Sequence, residues 1–206
     1  MIIHDLEQGS EEWLQKRSGL PTTSNFSNLV TSTGSLSKSI DKYAVTLAAD
    51  LYANKDLSEF QGNHYTDRGT ELEPHARRFY QLQKNVDVKE VGFVTDDEET
   101  WGCSPDGLVG EDGMLEIKCM IPTNHVPAII DWRTKQKVPV KYIQQIQGQM
   151  LICNRSYCDL LLYHPDLPSE IIRILPDQAV VNGLNEAKRI VLEKRDNILK
   201  ILKRGE

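Results

Sequence analysis

A chain of 206 residues with 39% hydrophobic and 26% charged residues has the composition of an ordinary globular protein, long enough for one sizeable core. Its formal net charge of −6 excludes a general polyanion binder coated in basic residues, although bound divalent metals and a few placed Arg and Lys side chains still make a local positive field. No apolar run reaches the roughly 18 residues of a membrane span, and no basic segment precedes a long apolar stretch at the N-terminus, so one cytoplasmic domain over residues 1–206 with no membrane partner is expected.

From the N-terminus, "SEEWLQKRSG" reads as a short helix capped by Ser10 and stopped by Gly19, and "TTSNFSNLV" as the start of another. The stretch "TSTGSLSKS", residues 31–39, is expected to be a mobile polar loop. Ile40, Tyr43, Ala44, Leu47 and Leu51 recur at helical spacing and predict a helix from about Ser39 to Asn54. A third helix is expected from near Thr70 to Gln83, with Pro74 accommodated in its first turn. The period then changes. "VDVKEVGFVTDD", "TWGCSPDGLV" and "GMLEIKC" read as three strands of an antiparallel meander with acidic or glycine turns. "PVKYIQQIQGQMLICN" returns to helix, with Tyr142, Ile146 and Met150 in an apolar stripe. "SYCDLLLYH" and "SEIIRILP" read as two further strands, and Asp177 to Arg204 as a long amphipathic helix. That order predicts an α/β or α+β fold, a sheet flanked by helices.

Cys103, Cys119, Cys153 and Cys158 lack the close C-x-x-C spacing of most metal and iron–sulfur sites, which favours reduced, partly buried thiols. The chemistry concentrates elsewhere. Glu116 and Lys118 interrupt an apolar strand and, being two apart, share a face. A solvated surface pair is one reading. Glycines at 107, 110 and 113 predict a hairpin that folds Asp106 back toward them. A four-residue loop sets Asp106 opposite Ile117; a three-residue loop, or a bulge, sets it opposite Glu116 and gathers the three polar side chains. Two converging carboxylates need a counter-charge, and oxygen donors suit Mg²⁺ or Mn²⁺ better than zinc. Lys118 then stands beside the metal, where an ammonium holds an attacking water and offsets charge on a phosphoryl group.

"SPD", nine intervening residues and "EIK" match the PD-(D/E)xK nuclease signature. "EEWLQKRSGLPTTS", "RGTELEPHARRFY", "CSPDGL", "LEIKC" and "YIQQIQGQM", over about residues 8–153, together resemble the phage lambda exonuclease family of recombination nucleases in order and spacing. The resemblance implies an α/β PD-(D/E)xK core with a central mixed sheet flanked by helices. It implies Asp106 and Glu116 as ligands of the catalytic metals, the Ile117 backbone carbonyl as a further ligand, Lys118 as the residue that positions or activates the water, and Glu73 completing the site directly or through a water. Read alone, Glu73 is an acid favoured at a helix N-terminus. Arg17, Ser24, Ser104 and Gln147 match a pocket for a terminal 5′-phosphate, which guanidinium, hydroxyl and amide donors suit. Singly, Ser24 is equally a helix cap and Gln147 a polar helix residue. Tyr142, Gln145 and Lys38 are candidate DNA contacts, with Gln149 beside them on a face the sequence leaves open. A member of the family that this chain resembles carries several basic residues in the loop where this sequence has only Lys38; Arg68, Arg77, Arg78, Lys135 and Lys137 are the alternatives for backbone contacts.

The function so implied is a metal-dependent 5′→3′ exonuclease on linear double-stranded DNA that releases 5′-mononucleotides and leaves a 3′ single-stranded overhang for recombination by single-strand annealing. It brings two Mg²⁺ (or Mn²⁺) ions per active site, double-stranded DNA ends, a homotrimeric ring, a single-strand annealing protein as partner, and the cytoplasm of a bacterial host. An endonuclease of the same superfamily and a catalytically silent DNA-binding subunit are the alternatives.

Overall fold

The computed structural model describes residues 1–55, 57 and 64–204, the side chains of residues 64–68 and 70 excepted. Strand β1 (Ile2–His4) precedes helix α1 (Glu11–Arg17) and a 3-10 turn (Thr23–Asn28). Helices α2 (Ile40–Ala53) and α3 (His64–Lys84) follow. Five strands come next: β2 (Val88–Lys89), β3 (Phe93–Thr95), β4 (Gly102–Cys103), β5 (Gly107–Val109) and β6 (Gly113–Cys119). Helix α4 (Pro122–Lys135), a 3-10 turn (Val140–Tyr142) and helix α5 (Ile143–Cys153) lead to β7 (Tyr157–Tyr163), β8 (Glu170–Ile174) and the long helix α6 (Gln178–Leu202). Among the described residues no helix is long and apolar enough to cross a membrane.

Local chemistry sets the helix ends. The Ser10 hydroxyl accepts from the Trp13 N–H at 3.2 Å, and Asp177 accepts from the Ala179 and Val180 N–H groups at 2.9 and 3.4 Å, each satisfying donors the first turn leaves open. Helix α3 starts earlier than its apolar spacing suggests, so Pro74 lies in its interior and Glu73 near mid-helix. A proline there deletes one rung of the backbone ladder, which an apolar stripe cannot report. The reading of Glu73 as an N-terminal helix acid therefore fails.

The expected three-strand meander is instead shared between two sheets, ordered β1-β3-β4 and β2-β5-β6-β7-β8. Pro105 cannot donate to a ladder, and at Ser104–Pro105–Asp106 the chain passes from the first sheet to the second. Strands β6 and β7 run parallel and the other pairs of the larger sheet antiparallel, giving a mixed sheet. A parallel pair needs a crossover. Helix α4, which the sequence did not announce because of Pro122 and Pro127, forms part of it together with α5.

Two apolar layers clamp the larger sheet. Leu108, Met114, Leu160 and Leu162 pack on the side of Ile146, Met150 and Val180, while Val109, Leu115, Ile117 and Leu161 meet Ala76 and Tyr80 of α3. On that second side lies Asp159, wholly buried, held by Arg173 Nε and Nη2 at 2.8 and 2.9 Å and by the Tyr80 hydroxyl at 2.7 Å. Burial opposes its charge, but these donors outweigh it and keep its pKa below the usual value. The 31–39 stretch, expected to be mobile, is closed by a Val30–Leu36 bridge and by a Ser37 N–H to Leu29 carbonyl bond at 2.8 Å. Gly34 there meets the α6 backbone at Ala179, and Gly183 meets the Gly34 carbonyl; a Cβ on either would overlap it. No disulfide joins the four cysteines, and three of them are buried.

Candidate active site

Strands β5 and β6 pair through Gly107↔Leu115, Leu108↔Met114 and Val109↔Gly113, so the loop has three residues and Gly110 turns it at φ +55°. One residue before this register, Asp106 falls opposite Glu116. Its Oδ2 accepts from the Ile117 N–H at 2.5 Å, tying the carboxylate to the neighbouring strand. Met114, Glu116 and Lys118 share the face toward α5, so the polar pair sits under a helix and not in solvent.

Glu116 is 1% exposed. Gln145 Nε2 donates to its Oε1 at 2.6 Å and Gln149 Nε2 to its Oε2 at 2.8 Å; Lys118 Nζ stands 2.6 Å from Oε1. Both amides come from one face of α5 because they are four residues apart. Lys118 also reaches Gln145 Oε1 at 3.4 Å and lies 4.8 Å from the Tyr142 ring centre. Burial opposes the Lys118 charge, but Glu116 and Asp106 more than offset it and hold the ammonium above the usual lysine range. Burial, then Glu116 and Glu73, push Asp106 well above the carboxylate range. An ionised Asp106 at this dry point therefore calls for a further counter-cation.

Glu73 reaches the site from α3. Arg77, one turn on, donates to its Oε1 at 2.5 Å, to Glu90 Oε2 at 2.8 Å and, through Nε, to the Asp106 carbonyl at 3.1 Å. Burial raises the Glu73 pKa, with Arg77 opposing it and Glu116 adding to it. Among the described residues no three His, Cys, Asp or Glu side chains stand as a ready ligand cluster. Lys118 and the two glutamines occupy Glu116, and Arg77 occupies Glu73. The donor chemistry is nevertheless that of a hard cation, all oxygen from Asp106, Glu116 and the Ile117 carbonyl between Glu116 and Lys118, and it fits Mg²⁺ or Mn²⁺.

A second group lies around α1. Arg17 and Ser24 line a cleft of about 640 Å³ between α1, the first 3-10 turn and α2, with Trp13, Asn25 and Lys42. The Arg17 guanidinium stacks 3.8 Å over the Trp13 ring, and the Trp13 indole N–H donates to Ser104 Oγ at 3.0 Å. Trp13 therefore joins Arg17 to the serine two residues before Asp106. Gln147 is not brought there: it donates to the Leu175 carbonyl at 2.9 Å and accepts from the Asp177 N–H at 2.8 Å, fastening the β8–α6 turn. Its spacing of two from Gln145 and Gln149 puts it on another side of α5. Lys38 is exposed on the connection to α2, Arg78 and Lys137 are exposed, and Lys135 pairs with Asp131 at 2.7 Å. The Arg68 side chain lies outside those described. Trp13 escaped the sequence reading, and its signal was the tryptophan four residues before an arginine in "EEWLQKR".

The YqaJ-like viral recombinase domain matches residues 12–156. The chain belongs to that family. No curated protein sequence matches it. Among solved structures, an alkaline exonuclease, LHK-Exo, from Laribacter hongkongensis is 32% identical, with a TM-score of 0.82 over 95% of this chain and 97% of that one. The same exonuclease in complex with dAMP matches at 31% identity and a TM-score of 0.82 over the same shares. A phage-related exonuclease from Haemophilus somnus 129PT, 16% identical with a TM-score of 0.70 over 89% of this chain and 96% of that one, shares the fold. The YqaJ-like chain thus has the mixed α/β PD-(D/E)xK exonuclease fold, and its relatives support a nuclease role in recombination.

Proposed function

We propose that this YqaJ-like protein is a divalent-metal-dependent 5′→3′ exonuclease on linear double-stranded DNA that releases 5′-mononucleotides and leaves a 3′ overhang. The observation that carries the reading is the convergence of Asp106, Glu116 and Lys118 under α5, with Trp13 linking that hairpin to the Arg17 cleft. The dAMP complex of LHK-Exo supports a mononucleotide product.

Asp106, Glu116 and the Ile117 carbonyl would hold two Mg²⁺ or Mn²⁺ ions, with Glu73 contributing directly or through a water. When bound, such ions supply Lewis-acid polarisation of the scissile phosphate and a lowered pKa for the attacking water. Lys118, kept as an ammonium by its carboxylate neighbours, orients that water by donation and offsets charge gathering on the phosphoryl oxygens. Gln145 and Gln149 fix the Glu116 rotamer so that its lone pairs keep one direction. Arg17, Ser24 and Ser104 bind the terminal 5′-phosphate, and holding the chain end selects which bond reaches the carboxylates. Gln147 takes no part in this pocket, its amide being engaged on both sides. Tyr142 and Lys38 remain the proposed DNA contacts, whereas the Gln145 amide is engaged by Glu116 and Lys118.

A homotrimeric ring with its basic residues turned to the hole reconciles a net charge of −6 with a DNA substrate, and a single-strand annealing protein takes the 3′ tail. The test is a Mg²⁺-dependent digestion of linear duplexes with 5′-phosphate or 5′-hydroxyl ends beside a closed circle of the same sequence. Faster release of mononucleotides from the phosphorylated end and an intact circle are expected. Equal rates on both ends, or nicking of the circle, would overturn end recognition.

A further inference from the structure

Arg77 was a candidate for DNA backbone contact, and its surroundings give it a different task. The side chain is 10% exposed and its guanidinium joins three separate pieces of chain. Nη2 takes Glu73 of α3 at 2.5 Å, Nη1 takes Glu90 of the β2–β3 connection at 2.8 Å, and Nε takes the Asp106 main-chain carbonyl at 3.1 Å. Asp106 precedes β5, so that carbonyl lies outside the ladder. Its side chain is pinned from the other direction by the Ile117 N–H at 2.5 Å. Thus the backbone of one candidate ligand and the carboxylate of another hang from the same planar, rigid fork, whose donors point in fixed directions.

We propose that Arg77 is the positioning residue that sets the separation of Glu73 from Asp106 and thereby the affinity of the site for a divalent cation, and that it makes no contact with DNA. The inference rests on the metal-dependent reading above. A lysine at this position keeps the charge but has a single nitrogen centre, which cannot hold three partners arrayed around a fork. Glu90, whose side chain is 70% exposed, anchors the outer edge of the guanidinium and contributes little by itself.

The experiment compares wild type with Arg77→Met, Arg77→Lys and Glu90→Gln as full chains. Mn²⁺ binding is measured by calorimetry without DNA, and binding of a 5′-phosphorylated duplex by fluorescence anisotropy in EDTA across a salt series. Circular dichroism reports the fold of each. Expected for Arg77→Met is a Mn²⁺ Kd raised about tenfold or more, with duplex affinity within about twofold of wild type and an unchanged salt slope; Glu90→Gln keeps wild-type Mn²⁺ affinity. Arg77→Lys is expected to lose Mn²⁺ affinity to a smaller degree, and it carries the test if the methionine variant does not fold. A DNA-contact role gives the reverse: wild-type Mn²⁺ affinity with weakened duplex binding and a salt slope smaller by about one. That result, or Mn²⁺ affinity unchanged in both Arg77 variants, overturns the inference alone. Absence of Mn²⁺ binding by wild type overturns both it and the metal-dependent function.

Discussion

Neutralising the two carboxylates of the hairpin is expected to move stability in opposite directions while abolishing cleavage in both cases. In the metal-free protein the Asp106 carboxyl stands in a buried place beside Glu116 and Glu73, and all three factors favour its protonated form. Asp106→Asn removes that repulsion, keeps an oxygen for the Ile117 N–H and turns amide donors toward the remaining carboxylates. Relieving a functional site in this way gains about 0.5–2 kcal/mol, and about 2–4 °C in Tm accompanies each kcal/mol at this chain length. Glu116 is the opposite case, since both its oxygens accept amide hydrogens and Lys118 stands 2.6 Å away. Glu116→Gln presents an NH₂ group to an amide NH₂ and takes the nearest anion from the partly buried Lys118 ammonium, a loss of about 1–3 kcal/mol. The assay is thermal and urea unfolding in EDTA near neutral pH, then again with Mg²⁺, where only wild type should gain stability by binding. The folded Asp106 holds its proton more tightly than the unfolded chain does. Metal-free wild type therefore loses stability as pH rises from the ordinary Asp value, about 3.9, through the raised one, and Asp106→Asn flattens that fall. Both variants shifting Tm in the same direction would refute the reasoning.

Lys118→Met should lower single-turnover cleavage about 10²–10⁴-fold while duplex binding in EDTA stays within about threefold, the separation expected of a group that acts on the water; a variant cleaving near the wild-type rate removes Lys118 from the chemistry. Gly183→Ala places a methyl against the Gly34 carbonyl and should cost about 1–3 kcal/mol in urea unfolding, and a neutral result would mean that α6 shifts freely over the 31–39 loop. Asp159 has a depressed pKa once Arg173 and Tyr80 outweigh burial, so its contribution is present above the ordinary Asp pKa and lost as pH falls through the lowered one. Asp159→Asn should therefore destabilise the protein near neutral pH and shrink its loss on acidification, as pH-resolved denaturation measures; an unaltered acid limb counts against that network.

Much of this molecule was legible in its sequence because the signals are local. Ser10 caps α1, helical spacing marks α2 and α6, and the glycines at 107, 110 and 113 leave few ways to close a hairpin. That Glu116 and Lys118 of "EIK" share a face was also readable, since side chains two apart on a strand point the same way whatever surrounds them. The division of the expected meander between two sheets was not, because neither half of "TWGCSPDGLV" carries a mark of which sheet it joins. Helix α4 was hidden by its prolines, and the start of α3 by the lack of an early apolar stripe.

Sequence by itself determined which groups the candidate site has, two acids and an amine gathered near one hairpin by strand alternation, while the three-residue loop was decided by the strand register. Tertiary structure alone decided who surrounds them. Three glutamines within five residues of α5 look equivalent as letters, yet the 3.6-residue turn sends Gln145 and Gln149 to Glu116 and Gln147 to the β8–α6 turn. Arg77 reads as surface charge until α3 docks on the sheet and the guanidinium meets Glu73, Glu90 and the Asp106 carbonyl together. Long-range packing sets those partners, and no periodicity along the chain encodes a contact between residues that only folding makes neighbours.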